Sequence, residues 1–337
     1  MRHVTPNDLL DRLWVEGAGI DDRLAIMAAR ETNPEPVIAD ELALWNDWIT
    51  CDDGHATGTH EQLAQRLASD PACRLLIIAI ELRAAISGRD HETIDDALEA
   101  IDRLIIITPR EDERGTTAHS AADLALAETA LYGKDLPAAR RCLEPVISSG
   151  PLAMRITGFM RMATLALANT DVTTAQKRAR QALTLARTTN RRGQGNQAQL
   201  LLGLISAMAG DTEHMRQALE PLLIAEPNNA TTRFLLAGLE DNQRALELLA
   251  EGLTTAASSG DALGYALCAL VGSRRYVAMG KRADALLTMS MVRVQLDAHA
   301  PQLLAVLDTE LETWKATWGE VEFAQAERAA MDLLSKS

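Results

Sequence analysis

The chain has 337 residues, of which 47% are hydrophobic, 24% are charged and only 3% are aromatic. This balance excludes a globally disordered chain, and the 20 glycines and 11 prolines exclude a collagen-like or proline-rich one. The formal net charge of −14 argues against nonspecific binding to nucleic acid.

The N-terminal residues 1–14 contain no continuous apolar segment of the kind that a signal peptide needs. The longest apolar run, Leu75–Leu82, includes Glu81 and is too short to cross a bilayer. The four cysteines are irregularly spaced without a C-x-x-C pair, which predicts reduced thiols. We therefore expect a cytoplasmic protein that does not insert into a membrane.

Charge is distributed unevenly along the chain. Residues 1–150 carry 14 basic and 28 acidic side chains, residues 151–210 carry eight and one, and residues 211–337 carry 11 and 18. The middle segment therefore has a local net charge of +7 between two acidic segments. An excess of basic side chains of this kind favours an acidic partner.

Helix-favouring residues dominate the chain, and apolar positions recur with helical spacing. In residues 175–186, for example, positions 175, 179, 182, 183 and 186 form one apolar face. Turn-forming residues interrupt such patterns near positions 17, 54, 88, 133, 170, 210, 241, 280 and 319. The sequence therefore predicts helices connected in pairs.

The clearest unit covers residues 196–229, with Leu202-Gly203 inside a helix, Gly210 at a turn and Pro227 near the end. It resembles the tetratricopeptide repeat of about 34 residues, in which small residues let two helices approach closely and a proline ends the second helix. The distance from turn glycine to proline recurs in Gly17/Pro34, Gly19/Pro36, Gly54/Pro71 and Gly210/Pro227.

The resemblance implies an all-α fold in which about nine helical hairpins stack into a right-handed α-α superhelix. It implies one continuous solenoid over residues 1–337, with acidic N-terminal hairpins at 1–75, central repeats at 76–300 and a C-terminal capping hairpin at 301–337. The interval between the turns at 88 and 133 is too long for one repeat, so we expect an exposed insertion at 107–117. We interpret Arg191–Asn196 as a connector between two hairpins.

Groups that can bind a metal occur in Cys51–Glu61, but Gly54 fits a repeat turn and Thr59, with Gln62 three residues later, fits a helix N-cap. The sequence contains no H-E-x-x-H, G-x-S-x-G or G-x-x-x-x-G-K-[ST] motif. We therefore predict no catalytic residue, no metal and no cofactor. A site assembled from scattered residues stays open as an alternative.

The resemblance also implies a concave surface formed by the first helix of each hairpin. The family's inward-facing positions predict an apolar groove here, with tryptophans at its N-terminal end, suited to a peptide or an amphipathic helix. In the alternative interpretation, the tryptophans only fill space between helices. The predicted groove residues are Asp11, Trp14, Leu44, Trp48, Leu82, Asp123, Met160, Thr164, Leu204 and Arg274.

The basic segment predicts a second site, a docking patch for an acidic protein. Two alternatives stay open, a merely solvated surface and a site for nucleic acid, although only Phe159 lies nearby for base stacking. The predicted patch consists of Arg155, Arg161, Lys177, Arg178, Arg180, Arg187, Arg191 and Arg192.

We therefore expect a non-enzymatic scaffold or adaptor that binds a peptide or helix of a partner protein in its concave groove. The alternative is a peptide- or ligand-responsive regulatory module of a bacterial signalling system. The complementary acidic and basic segments are also compatible with self-association, whereas nucleic acid is not an expected partner.

Overall fold

A computed structural model describes residues 5–50, 63, 65–67, 69–300 and 303–335. Within these ranges the chain is all-α, with seventeen α-helices, one short 3₁₀-helix and no β-strand. The all-α prediction is therefore confirmed. The chain divides into two compact units, Met1–Leu201 and Leu202–Ser337.

The first unit contains nine complete helices and the beginning of a tenth among its described residues. These are α1 Pro6–Glu16, α2 Arg23–Glu31, α3 Pro36–Thr50, α4 Pro71–Gly88, α5 His91–Ile107, α6 Glu113–Tyr132, α7 Leu136–Ser149, α8 Leu152–Ala168, α9 Val172–Thr188 and α10 Arg192–Met208. The 3₁₀-helix Ile20–Asp22 separates α1 from α2. Each of α4, α6 and α8 packs on the helix that follows it, and α6 also packs on α4 and α8.

The second unit begins inside α10. Its further helices are α11 Thr212–Ala225, α12 Ala230–Ala237, α13 Asn242–Ser259, α14 Ala262–Ala278, α15 Arg282–His299, α16 Leu304–Trp318 and α17 Glu320–Leu334. α12 packs on α13 and α14, and α15 packs on α14 and α17. None of the helices in the described residues is long and apolar enough to span a membrane.

The turns between helices follow a repeated pattern in which a left-handed residue precedes an aspartate. Lys134 and Thr170 have φ angles of 61° and 57°. The next residues, Asp135 and Asp171, each accept a hydrogen bond of 2.9 Å from the backbone N–H three positions later. Because this carboxylate satisfies a free N–H at the helix start, the same residues end one helix and begin the next.

Most of the predicted turns lie between helices in the structure. Interruptions between helices fall at the predicted positions 17, 133, 170, 210, 241, 280 and 319 and directly after position 88, whereas position 54 lies outside the described residues. The predicted apolar face of α9 is buried, since Ala175, Ala179, Ala182 and Ala186 are fully inaccessible. The superhelix, the number of hairpins, the continuous solenoid and the family resemblance stay predictions.

Two helices, α7 and α11, share the short motif R-x-x-L-E-P, which the turn spacing did not reveal. In both, the arginine contacts the glutamate four residues later at 3.0 Å, in the pairs Arg140–Glu144 and Arg216–Glu220. Leu143 in α7 and Leu219 in α11 are fully buried. Sequence and local structure therefore repeat together at these two positions.

Gly203, the small residue of the clearest repeat, lies where α10 and α11 approach closely. A Cβ atom at Gly203 would lie 2.4 Å from Cδ2 of Leu219, a distance that no side chain tolerates without displacement. The expected role of this small residue is therefore confirmed.

Two local predictions are corrected. The predicted insertion at 107–117 is exposed only in part: residues 109–113 are exposed, whereas α6 begins at Glu113 and the side chains of Thr108 and Thr117 are buried. Residues 191–196 are not a connector, because α10 begins at Arg192 and continues through both glycines. A Cβ atom at Gly193 would lie 2.6 Å from Cγ2 of Ile20, so this glycine serves close packing instead of ending a helix.

Candidate functional site

Four predicted groove residues at the N-terminal end, Trp14, Leu44, Trp48 and Leu82, are buried in the core of the first unit. The structure corrects this part of the prediction, because their side chains are covered by the chain's own helices. The helical spacing had identified apolar faces, but not what packs on them. The predicted alternative, tryptophans that fill space between helices, describes these positions.

Trp14 makes polar, aromatic and cation–π contacts within the first unit. Its indole N–H donates a hydrogen bond of 2.7 Å to Glu41, and its ring meets Trp45 edge-on at 5.0 Å. The guanidinium of Arg114 lies 4.2 Å from the ring centroid and donates to the same Glu41 oxygen at 2.9 Å. The partly exposed Arg114 and the buried Glu41 therefore cover this part of the apolar cluster.

A second network draws one predicted patch residue inward. Arg83 stacks on Trp48 at 4.4 Å and donates to Glu128 at 2.9 Å. Arg161 approaches the other oxygen of Glu128 at 2.8 Å. The two guanidinium groups hold the pKa of the Glu128 carboxyl below its usual value against the opposing effect of burial. Arg161, with 32% of its side chain exposed, is therefore paired with Glu128 within the first unit, which corrects its assignment to the docking patch.

Arg191 is also internal, because the N-terminal segment folds onto the start of α10. Its guanidinium contacts Asp22 and Glu16, both at 2.8 Å, and its side chain is buried. Asp21 accepts hydrogen bonds from the backbone N–H groups of Gly193 at 2.6 Å and Gln194 at 3.0 Å. The segment around residues 16–22 thus caps α10 and removes Arg191 from the docking patch.

The other predicted groove residues are scattered. In the first unit, Asp11 and Thr164 are exposed, whereas Met160 and Asp123 are half-buried. In the second unit, Leu204 is half-buried and the exposed Arg274 forms a bidentate ion pair with Glu310 at 2.9 and 2.6 Å.

Asp123 is part of a buried titratable cluster on α6. Burial raises the pKa of Asp123 to about 6, although Arg110 opposes the shift. Arg110 also donates from Nε to Nδ1 of His119 at 3.1 Å, so His119 Nε2 carries the proton and donates to the carbonyl of Thr108 at 3.0 Å. Burial lowers the pKa of His119, which favours this neutral form. The cluster therefore holds a carboxyl that changes its charge near pH 6.

Four residues of the predicted docking patch do lie together, along two surface cavities around α9. A cavity of about 640 Å³ between α8 and α9 is lined by Arg155, Lys177 and Arg180. A cavity of about 520 Å³ among α7, α8 and α9 is lined by Arg140, Lys177 and Arg178. Because Lys177 lines both, the cavities adjoin, and we call these five residues the basic surface.

The charges of the basic surface are only partly compensated. Lys177 and Arg180 are exposed and have no ion-pair partner among the residues that the structure describes. Asp171, the single acidic residue lining either cavity, caps α9 through the N–H of Thr174. Arg140 contacts Glu144, but both side chains are mostly exposed, so water screens the pair.

Arg178 lines the second cavity with a partly buried guanidinium. Its Nη1 donates to Gln181 at 3.1 Å, whereas its Nε is buried without a hydrogen-bond partner in the described part of the chain. A buried donor without a partner costs roughly 1–3 kcal/mol. The neighbouring Arg155 donates from Nε to the carbonyl of Ile147 at 3.3 Å, which fixes its stem against α7.

The two other predicted patch residues lie elsewhere. Arg187 donates to Gln199 at 3.0 Å, Arg192 is exposed, and neither lines the two cavities. Sequence reasoning missed Arg140, because residues 1–150 are acidic as a whole. A signal that could have found it is the shared turn, since α7 and α9 each begin directly after a capping aspartate, Asp135 and Asp171.

Comparison with known proteins adds no assignment: no family model matches the chain, and no curated protein matches its sequence. The metal-capable segment Cys51–Glu61 lies outside the described residues. Among the residues that the structure does describe, no group of three His, Cys, Asp or Glu side chains is placed to hold a metal ion. The basic surface is therefore interpreted from its own geometry.

Proposed function

We propose that this protein is a non-enzymatic interaction module of the tetratricopeptide type, which binds an acidic segment of a partner protein on the basic surface. The observation that carries the proposal is the convergence of five basic side chains on two adjoining cavities with one acidic residue, which is itself occupied as a helix cap. The repeated turns and the R-x-x-L-E-P helices support the repeat assignment.

An acidic peptide suits this surface in both charge and shape. Lys177 and Arg180 offer exposed cations, and neither has an ion-pair partner among the described residues. Apolar side chains, including Phe159 and Leu185 in one cavity and Leu136 and Met162 in the other, also line the surface. A segment with alternating acidic and apolar residues would bind both, with the charges increasing the association rate.

Other features of the chain argue against a nucleic-acid-binding protein and against an enzyme. A nucleic acid would find only one aromatic ring in the two cavities, Phe159, and an overall charge of −14. The titratable groups on α6 point away from acid-base catalysis, since His119 uses both ring nitrogens in hydrogen bonds within the chain. Cys73, Cys142 and Cys268 are free thiols, which supports a reducing compartment such as the cytoplasm.

The proposal is tested by fluorescence anisotropy with a labelled amphipathic peptide of Glu and Leu, and with its Lys and Leu counterpart. We expect only the acidic peptide to bind, with an affinity that falls as salt concentration rises. The double variant Lys177→Glu/Arg180→Glu should weaken binding by about tenfold or more, because it replaces two cations by anions.

A matched control is Arg30→Glu/Arg103→Glu, which makes the same change of charge at exposed positions on α2 and α5. This control should retain most of the affinity, since neither residue lines the basic surface. Equal losses in both double variants would mean that net charge alone attracts the peptide. Preference for single-stranded RNA over the acidic peptide would favour a nucleic-acid site instead.

A ligand-responsive regulator is a second candidate, favoured by the way residues 16–22 are held on α10. Arg191 and the first N–H groups of α10 bind carboxylates of the chain itself, so an acidic ligand would compete for the same groups. In this case the acidic peptide should increase hydrogen exchange in α1 and α2. Unchanged exchange at saturating peptide would rule out such a displacement.

A further inference from the structure

The second unit has an exposed apolar groove between α15 and α17, which the basic surface does not explain. Its volume is about 1110 Å³. Three of its lining side chains are large, apolar and mostly exposed: Met291 is 56%, Val294 is 75% and Met331 is 65% accessible. Such a patch indicates an interaction surface, because water contact with these side chains is unfavourable.

The charges at this groove distinguish its partner from that of the basic surface. Arg293 and Arg328 line it together with Glu327 and Asp332, so positive and negative side chains are equal in number. Because the positive and negative side chains at the groove are equal in number, they would not increase the association rate of a strongly acidic or strongly basic helix. A surface that carries both signs is instead complementary to a second copy of itself.

The positions on α17 allow this pairing directly. Arg328 and Asp332 are four residues apart, and both are exposed, so they lie on one side of the helix, one turn apart. If a two-fold axis crosses α17 at residue 330, two antiparallel copies of the helix place Arg328 opposite Asp332 of the second copy, and the reverse. Met331 lies next to the axis, so the exposed methionines meet between two reciprocal ion pairs.

We propose that the protein forms a symmetric dimer through the groove between α15 and α17, with α17 of each copy packed antiparallel on the other. The dimer buries Met291, Val294 and Met331 of both copies, and the two pairs Arg328–Asp332 set the register. This inference is independent of the proposed function, because it involves neither the basic surface nor an acidic partner.

Sedimentation equilibrium of the full chain over a wide concentration range tests the dimer. We expect a monomer–dimer equilibrium, and Met331→Glu should weaken it by about tenfold or more. Since Met331 is largely exposed, the variant should retain its helix content and melting temperature in the monomer. Met291→Glu provides the same test from α15, should the first variant fail to fold.

A charge swap tests the geometry. Arg328→Asp and Asp332→Arg should each weaken the dimer through like charges, whereas the double swap should restore it. Ile224→Glu is the matched control, because Ile224 is an exposed apolar residue on α11, outside the groove. A chain that stays monomeric at every concentration overturns the proposal. So does a dimer that is indifferent to Met331→Glu, or a monomer that binds an amphipathic helical peptide in this groove.

Discussion

The tryptophans of the N-terminal helices α1 and α3 differ in exposure from the methionines of the C-terminal helices α15 and α17. Trp14, Trp45 and Trp48 are buried, and Arg83 and Arg114 cover two of the rings. In α15 and α17, by contrast, Met291 and Met331 remain mostly exposed beside a groove. Amphipathic helices thus occur in both regions, but the tryptophans of α1 and α3 are covered by the chain's own side chains, whereas the methionines that line the groove are mostly exposed.

The difference teaches that a helical-repeat pattern identifies apolar faces without identifying the interaction surface. The tryptophans appeared in the sequence as the best anchors for a partner, yet internal contacts use them. The residues available to partners are instead the cations around α9 and the methionines of α15 and α17. Each of the following predictions tests one side of this contrast.

The largest effect is expected from removing a buried ring. Trp45→Ala should lower the free energy of unfolding by about 3–5 kcal/mol, because it leaves a cavity in the core of the first unit. Met331→Ala should change it by less than about 0.5 kcal/mol, since its side chain is mostly exposed. Urea denaturation at low protein concentration measures both, and equal losses would contradict the contrast.

The next effect concerns ion pairs. Arg191→Ala should lower the free energy of unfolding by about 3 kcal/mol. The substitution removes one of the two cations that contact the buried Asp22 and leaves only Arg12. Arg293→Ala breaks an exposed pair with Asp308 at 3.2 Å and should cost less than about 1 kcal/mol. The same denaturation experiment compares them, and a small loss for Arg191→Ala would show that residues 16–22 do not depend on this anchor.

The pH dependence of stability should differ between a largely buried carboxyl and an exposed one. The pKa of Asp123 is raised to about 6 in the folded chain from 3.8, so the folded state binds more protons between these values. The contribution of Asp123 to stability is therefore present below pH 3.8 and is lost as the pH rises through about 6.

Asp123→Asn, which cannot ionise, should accordingly raise the melting temperature at pH 7.5 more than at pH 5, since Arg110 supplies only partial compensation. Asp297→Asn, at an exposed position on α15, is the control without burial. Thermal melts at both pH values provide the comparison, and identical shifts at the two pH values would contradict the buried-carboxyl interpretation.

The smallest effect is expected at the turns. Thr170 has a φ angle of 57°, a conformation that is unfavourable for a β-branched residue, so Thr170→Gly should stabilise the first unit by roughly 0.5–1 kcal/mol. Gly280 in the second unit has a φ angle of 75° and open space around it, so Gly280→Ala should destabilise by roughly 1 kcal/mol. Opposite signs in calorimetry would support a common turn geometry.

Local structure was largely predictable from local pattern. The turns near 133, 170 and 210 follow from interruptions of the apolar helical pattern and from aspartates that cap the next helix. Part of the basic surface could be predicted from the sequence, because Lys177 and Arg180 lie opposite the apolar face of their own helix. Arg140 was missed, since it joins the surface from another helix.

The sequence alone determined that this chain forms short amphipathic helices, the positions of most turns between them, and which face of α9 is buried, because these properties depend on neighbours within a few residues. Only the tertiary structure decided that Arg161 turns inward to Glu128 and that Arg191 binds Asp22 and Glu16. These partners are separated in sequence by 33, 169 and 175 positions. An arginine has the same local pattern whether it meets water or a distant carboxylate, so only the packing of the helices distinguishes the two.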